Sequence, residues 1–255
     1  MASFTGAIWG SLATFTSRDL IQIMSKDFVT KEELTKKRTP KELRECFECK
    51  IEEIIQQEGG KKSLRMRKGL CKEFIEEVYP LSILASIEFE DRNDIMLQPV
   101  IGNQNYDALI FENESSSLSM LEITQAQSND DYLKREMLDE KGYAPISGCI
   151  KKQGTKNTSI KFESNLSTRH PENFNEQNKL ISEALSKKNE KGYDSSTSLL
   201  IMFQDIGVGA PDEEYVREKI NRFIKDEVSS KEILFSAVYF VSWSKKHGYI
   251  FDFCL

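Results

Sequence analysis

Histidine is scarce in this chain: His170 and His247 are the only two in 255 residues. That leaves little for imidazole-based metal cages or for a histidine base. Both read as surface residues, and His170 reaches a site only if the turn-rich stretch around it folds back. The five cysteines, Cys46, Cys49, Cys71, Cys149 and Cys254, are an odd number in a chain too large to need disulfide staples, which points to a reducing cytoplasm. Cys46 and Cys49 form a CFEC pair, but no second CxxC or HxxxH accompanies it to complete a four-ligand zinc site, so on a helix the pair reads as packing. No apolar run approaches bilayer length, which excludes a membrane protein. The opening MASFTGAIWGSLATF lacks the basic start and Leu-rich run of a secretory signal and reads as an ordered N-terminal arm. A Gly-rich phosphate loop, a serine nucleophile elbow and a dinucleotide fingerprint are missing too, which removes P-loop and esterase chemistry.

Charge is plentiful and unevenly placed. The formal net charge of −6 argues against a chain coated for nucleic acid. Basic residues nevertheless cluster at Lys61, Lys62, Arg65, Arg67, Lys68 and Lys72, at Lys151, Lys152 and Lys156, and at Lys187, Lys188 and Lys191. An acidic total with basic islands fits an enzyme that grips phosphates on one face.

Hydrophobic periodicity gives the layout. Thr30 caps a short charged helix that Pro40 interrupts, and residues 41–57 carry Leu43, Phe47, Ile51, Ile54 and Ile55 at helical spacing up to Gly59 and Gly60. An earlier short segment spans Thr16 to Met24. Residues 63–79 read as one further helix closed by Pro80. Strand-like runs follow: ILASIEF, IMLQPVIG, YDALIF and LSMLEIT. A helix is expected over 129–140 and a polar excursion over 143–172 with one strand near 158–162. Another helix runs over 174–191, a fully buried strand over 198–203 and a helix over 212–227, and a C-terminal hairpin closes the chain. This order implies an α/β fold of the α+β kind, with a mixed central sheet flanked by helices. Residues 1–58 form an N-terminal helical arm or subdomain and residues 59–255 the sheet-bearing domain.

The stretch from Tyr106 to Gln127 carries the chemistry. Asp107 opens one apolar strand and Glu122 lies in the next, so a hairpin brings two carboxylates together, and oxygen ligands suit Mg²⁺ or Mn²⁺. Helix, strand with Asp107, strand with Glu122-Ile123-Thr124, then helix resembles the PD-(D/E)xK nuclease-like superfamily over about Leu64 to Phe203. The resemblance implies a restriction endonuclease-like core and metal-dependent cleavage of phosphodiesters in DNA or RNA, with DNA the more expected partner. It makes Asp107 and Glu122 the metal ligands.

Thr124 stands where that family carries its lysine. A hydroxyl cannot supply the positive charge, so a migrated cation is expected from Lys134 or Arg135, or from Lys187 or Lys188. Among the amides, strand alternation turns Gln125 away and makes Gln127 the better candidate. The family's helix acid maps to Glu73, Glu76 or Glu77, with Glu77 preferred. Arg65, Arg67, Lys68, Lys134, Lys151, Lys152 and Lys188 would contact the nucleic acid backbone. The competing reading is a catalytically inactive protein of the same fold that binds a partner, and a homodimer or partner protein is left open.

Overall fold

The structure is a computed structural model describing residues 27–112, 117–128, 130–144, 149–153, 159–163, 170–204, 213–244 and 248–253. The segment expected over Thr16 to Met24 lies outside them, as do Lys156 and His247. The side chains of Lys151, Lys152 and His170 are also outside the description.

Six strands form one mixed sheet: β1 (Ile95–Pro99), β2 (Ala108–Glu112), β3 (Ser117–Ala126), β6 (Thr197–Phe203), β7 (Ala237–Ser242) and β8 (Gly248–Asp252), in that spatial order. The first three make an antiparallel meander, β3, β6 and β7 run parallel, and β8 returns antiparallel. A separate hairpin, β4 (Cys149–Gln153) with β5 (Ser159–Glu163), stands where the sequence suggested a single strand. The crossover from β3 to β6 includes helices α6 (Asp131–Lys141) and α7 (His170–Asn189).

Helices cover both faces of this sheet. On one face Leu121, Ile123, Leu200, Met202 and Val241 pack with Val29, Leu34, Leu43, Phe47 and Ile54 from α1 (Lys31–Thr35), α2 (Pro40–Gln56) and the residue ahead of them. The N-terminal helical segment therefore buries its apolar stripe in the same core as the sheet. On the other face Ala126, Leu199, Ile201, Phe203, Val238 and Phe240 meet Ile181 and Leu185 of α7 and Ile220, Ile224 and Val228 of α8 (Glu213–Ser229). Every residue of β6 is buried, as its unbroken apolar run requires. No described helix is long and apolar enough to cross a membrane.

The helix ends follow from side chains. Thr30 and Glu33 form a capping box on α1, and Thr39 and Glu42 form one on α2, where Pro40 occupies the first turn instead of interrupting a helix. α3 (Gly60–Met66) starts so close to the end of α2 that a Cβ on Gly60 would lie 1.8 Å from the Ile54 carbonyl oxygen. Gly60→Ala is accordingly expected to cost about 1–3 kcal/mol, seen as a lower urea midpoint at an unchanged slope.

Two expectations are overturned here. Residues 63–79 are not one helix: Arg67 adopts the left-handed conformation (φ 50°), ending α3, and α4 (Cys71–Glu73) begins a new helical run. That run passes through Pro80 by way of a π-turn, Phe74–Val78, in which the Tyr79 amide bonds the Phe74 carbonyl five residues back. The wider turn accommodates a proline that has no N–H to give and whose ring would crowd the carbonyl four residues earlier. ILASIEF is also no strand. It belongs to α5 (Tyr79–Glu88), in which Pro80 to Ala85 are all buried. A helix apolar on all sides shows no period to distinguish it from a buried strand.

Candidate functional site

β2 and β3 pair Ala108 with Leu121. One step further along this antiparallel register, Asp107 stands opposite Glu122, and cross-strand neighbours of this kind share a face with Cβ atoms about 5 Å apart. The Asp107 amide donates to the Leu121 carbonyl at 2.9 Å, and Asp107 Oδ2 accepts from the Ile123 amide at 2.8 Å. The carboxylate is thus fixed against the neighbouring backbone. Burial, joined by the charge of Glu122, raises the Asp107 carboxyl to about 6, against the pull of the Ile123 amide, Lys188 and Lys191.

Glu122 shares its face of β3 with Thr124 and Ala126, and α7 packs against that side. Only 6 % of Glu122 is exposed. Its Oε1 accepts from Lys188 Nζ near the end of α7 and from the Tyr193 hydroxyl at 2.9 Å. Gly192, at φ 66°, takes the left-handed turn that brings the chain back toward the strand. Burial and the bond to Glu122 push the Tyr193 hydroxyl well above its ordinary range, so it stays a donor.

A third acid belongs to this electrostatic group. Glu77, in the π-turn, is raised to about 8 by burial first, then by the charges of Asp107 and Glu73. Its ordinary value is 4.5, so the folded state holds this proton more tightly than the unfolded chain. The contribution is present below pH 4.5 and is lost as pH rises towards 8. Glu77→Gln is therefore expected to gain stability over the unaltered protein between pH 5 and pH 9, by about 2 kcal/mol after allowance for solvent screening. Urea unfolding across that range checks the sign. A gap that stays constant with pH would remove Glu77 from the group.

The other residues singled out by sequence distribute as follows. Thr124 is half-buried beside Glu122 with no bond to either acid. Gln125 turns to the opposite face, as alternation requires, and donates to the Ile75 carbonyl at 3.3 Å. Gln127 lies beyond β3, exposed, and accepts from Arg67 at 3.1 Å. Five residues along a strand from Glu122 is about 16 Å, so Gln127 does not join the acids. Arg67 also pairs with Glu76. Arg65 reaches Asp139 at 3.5 Å and the Leu138 carbonyl, tying α3 to α6, and Lys68 and Lys187 are exposed. Lys134 pairs with Asp131 at 3.3 Å. Cys46 and Cys49 are free thiols, half-buried and exposed.

A cleft of about 440 Å³ is lined by Asn105, Tyr106, Lys191, Tyr193, Asp194 and Thr197, among others, which include the chain neighbour of Asp107 and the hydrogen-bond partner of Glu122 but neither acid itself. Tyr193 was invisible as a site residue in the sequence, because a tyrosine after a helix carries no motif. Compared with family models, curated proteins and solved structures, the chain matches none of them.

The donor set fits a hard divalent ion. The hydrogen bonds of the two acids fall on Asp107 Oδ2 and Glu122 Oε1, and their second oxygens have none among the described residues. Among the described residues no three acidic, histidine or cysteine side chains converge as a complete cage. Mg²⁺ is commonly held by one or two carboxylates, with water and substrate phosphate completing its shell.

Proposed function

We propose that this protein is a metal-dependent nuclease that hydrolyses phosphodiesters in nucleic acid, DNA in preference to RNA. The observation that carries the reading is the placement of Lys188 on Glu122, with Asp107 opposite in register. Two acids and a lysine come together although Thr124 occupies the strand position where the family resembled by the sequence has its lysine. The strand order supports the same reading: an antiparallel meander bearing the acids, a helical crossover, then a parallel strand.

In this proposal Asp107 and Glu122 hold Mg²⁺ or Mn²⁺, which supplies charge neutralisation at the phosphate and a lowered pKa for the attacking water. The Ile123 amide holds Asp107 in place, and Tyr193 does the same for Glu122. Lys188 has further ammonium protons beyond the one given to Glu122 and is positioned to donate to a phosphoryl oxygen as charge builds there. Lys191, which draws the Asp107 carboxyl down, lines the cleft by which a phosphate backbone would approach.

The test is plasmid and RNA cleavage with Mg²⁺, Mn²⁺ or chelator, together with calorimetric titration of Mn²⁺. Metal-dependent cutting of DNA is expected, with metal uptake that requires Glu122. A second reading rests on the same geometry: Lys188 and Tyr193 both hold one Glu122 oxygen, as a structural ion pair would. Absence of both cleavage and Mn²⁺ uptake would leave that reading, an inactive binding protein, in its place.

A further inference from the structure

A second cavity, of about 390 Å³, opens beyond the ends of β3, β6 and β7, where Ala126, Gln204 and Trp243 leave the sheet. Those three strands are parallel, so these are their carboxyl ends, where ligands of open α/β sheets commonly bind. The volume falls in the range of small-molecule sites, roughly 300–1,000 Å³. Four residues of β3 separate it from Glu122, about 13 Å, so it is distinct from the acids.

Its lining is built for an anion. Arg67, Lys134 and Arg135 supply three positive charges, and Asp131 is the one acid. Asp131 is already occupied, accepting from Lys134 at 3.3 Å and from the Ser128 amide at 3.1 Å. Arg67 is balanced by Glu76. Arg135 is half-buried and has no hydrogen bond or ion pair among the described residues, and burial together with Arg67 draws its pKa down. Asp131 and Glu76 act on Arg135 only from a distance, their pull outweighed by burial and Arg67, and a phosphate would satisfy its planar fork with two parallel bonds. Arg67 is also the one described non-glycine residue held in the left-handed region, at φ 50°, and such strain is characteristic of binding sites.

The remaining wall is aromatic and amide. Trp243 lines the cavity while its indole packs at a tilt on Tyr79, with centroids 5.1 Å apart. An indole anchored in this way offers a surface on which a nucleobase can stack. Gln127 and Gln204 stand exposed at the same cavity, with donors and acceptors suited to the edge of a base.

We propose that this cavity binds a nucleotide, with its phosphate on Arg135 and Lys134 and its base against Trp243. The assignment stands without the nuclease reading, since none of its residues belongs to the acid group. The ligand is either a free mononucleotide or the phosphorylated end of a strand.

The experiment titrates the full chain, in chelator, with AMP, adenosine and inorganic phosphate, and with a short oligodeoxynucleotide carrying either a 5′-phosphate or a 5′-hydroxyl. Calorimetry and tryptophan fluorescence, read in a Trp9→Phe background that leaves Trp243 as the reporter, are the readouts. AMP is expected to bind at least about tenfold more tightly than adenosine or phosphate, because both halves of the site contribute. Arg135→Ala and Lys134→Ala should each weaken AMP by about tenfold, and Lys134, on the half-buried face of α6, provides a variant that folds if Arg135→Ala does not. Engagement of AMP marks a free nucleotide, and preference for the phosphorylated oligonucleotide marks a strand end; either supports the assignment. No binding of AMP or of the phosphorylated oligonucleotide, equal affinity for phosphate and AMP, or affinity unchanged in both variants would overturn it. Chelator and a parallel titration of Glu122→Gln protein keep this outcome independent of whether the acids cleave anything.

Discussion

In a plasmid-nicking assay with Mn²⁺, Glu122→Gln and Asp107→Asn proteins are each expected to cut at least about a thousandfold more slowly than the unaltered chain, some 4 kcal/mol of transition-state stabilisation. Both substitutions keep the shape of the side chain and remove its charge, so the change isolates the ability to hold a cation. The two variants should differ in stability. Asp107→Asn retains an oxygen for the Ile123 amide and relieves a carboxyl that burial disfavours, so its unfolding temperature should hold or rise at neutral pH. Glu122→Gln leaves Lys188 without its carboxylate and should lose some stability. Cleavage that persists in both variants, with near-ultraviolet dichroism unchanged, would remove the acids from the chemistry.

Lys188→Met is expected to lower the unfolding free energy by about 3–5 kcal/mol at pH 7, because it strands a buried carboxylate. The side chains of Glu122 and Lys188 are 8 % and 14 % exposed, so water screens this pair little. Adding Glu122→Gln to Lys188→Met should restore most of the loss, since the two neutral side chains fill the same space without an isolated charge. Urea unfolding of the two single variants and the double variant supplies the cycle. Losses that simply add would mean that the ion pair is not coupled. Cleavage separates the roles further: the stabilised double variant should still be inactive, because the acid and the ammonium are both gone.

The acids were legible in the sequence because strands alternate and a hairpin fixes register, so Asp107 and Glu122 had to meet if both strands formed. The mixed sheet and its helices were legible for the same reason, from periods that switch between two and three to four residues. Lys188 was visible only as one of four cations. Its position five residues before Tyr193 says nothing about which strand it faces, and the crossover that brings α7 onto β3 is a long-range event. The break at Arg67 left no mark, because an arginine in the left-handed region is disfavoured by local preference and imposed by packing. The uniformly apolar residues of α5 read as a strand because burial on all sides erases periodicity. Lys62, Arg65 and Arg67 read as a phosphate-binding island, yet they face Asp139 and Glu76, so part of the apparent basic patch is internal cross-linking.

The π-turn at Phe74–Val78 sets two consecutive acids to different tasks. Glu76 holds Arg67 at the nucleotide cavity, while Glu77 responds to Asp107 at the acid cluster, and the charge of Glu76 itself raises the Glu77 carboxyl. The same irregular turn of helix thus serves two neighbourhoods at once: its first acid neutralises a guanidinium on the cavity wall, and its second is a buried carboxyl facing the charge of Asp107.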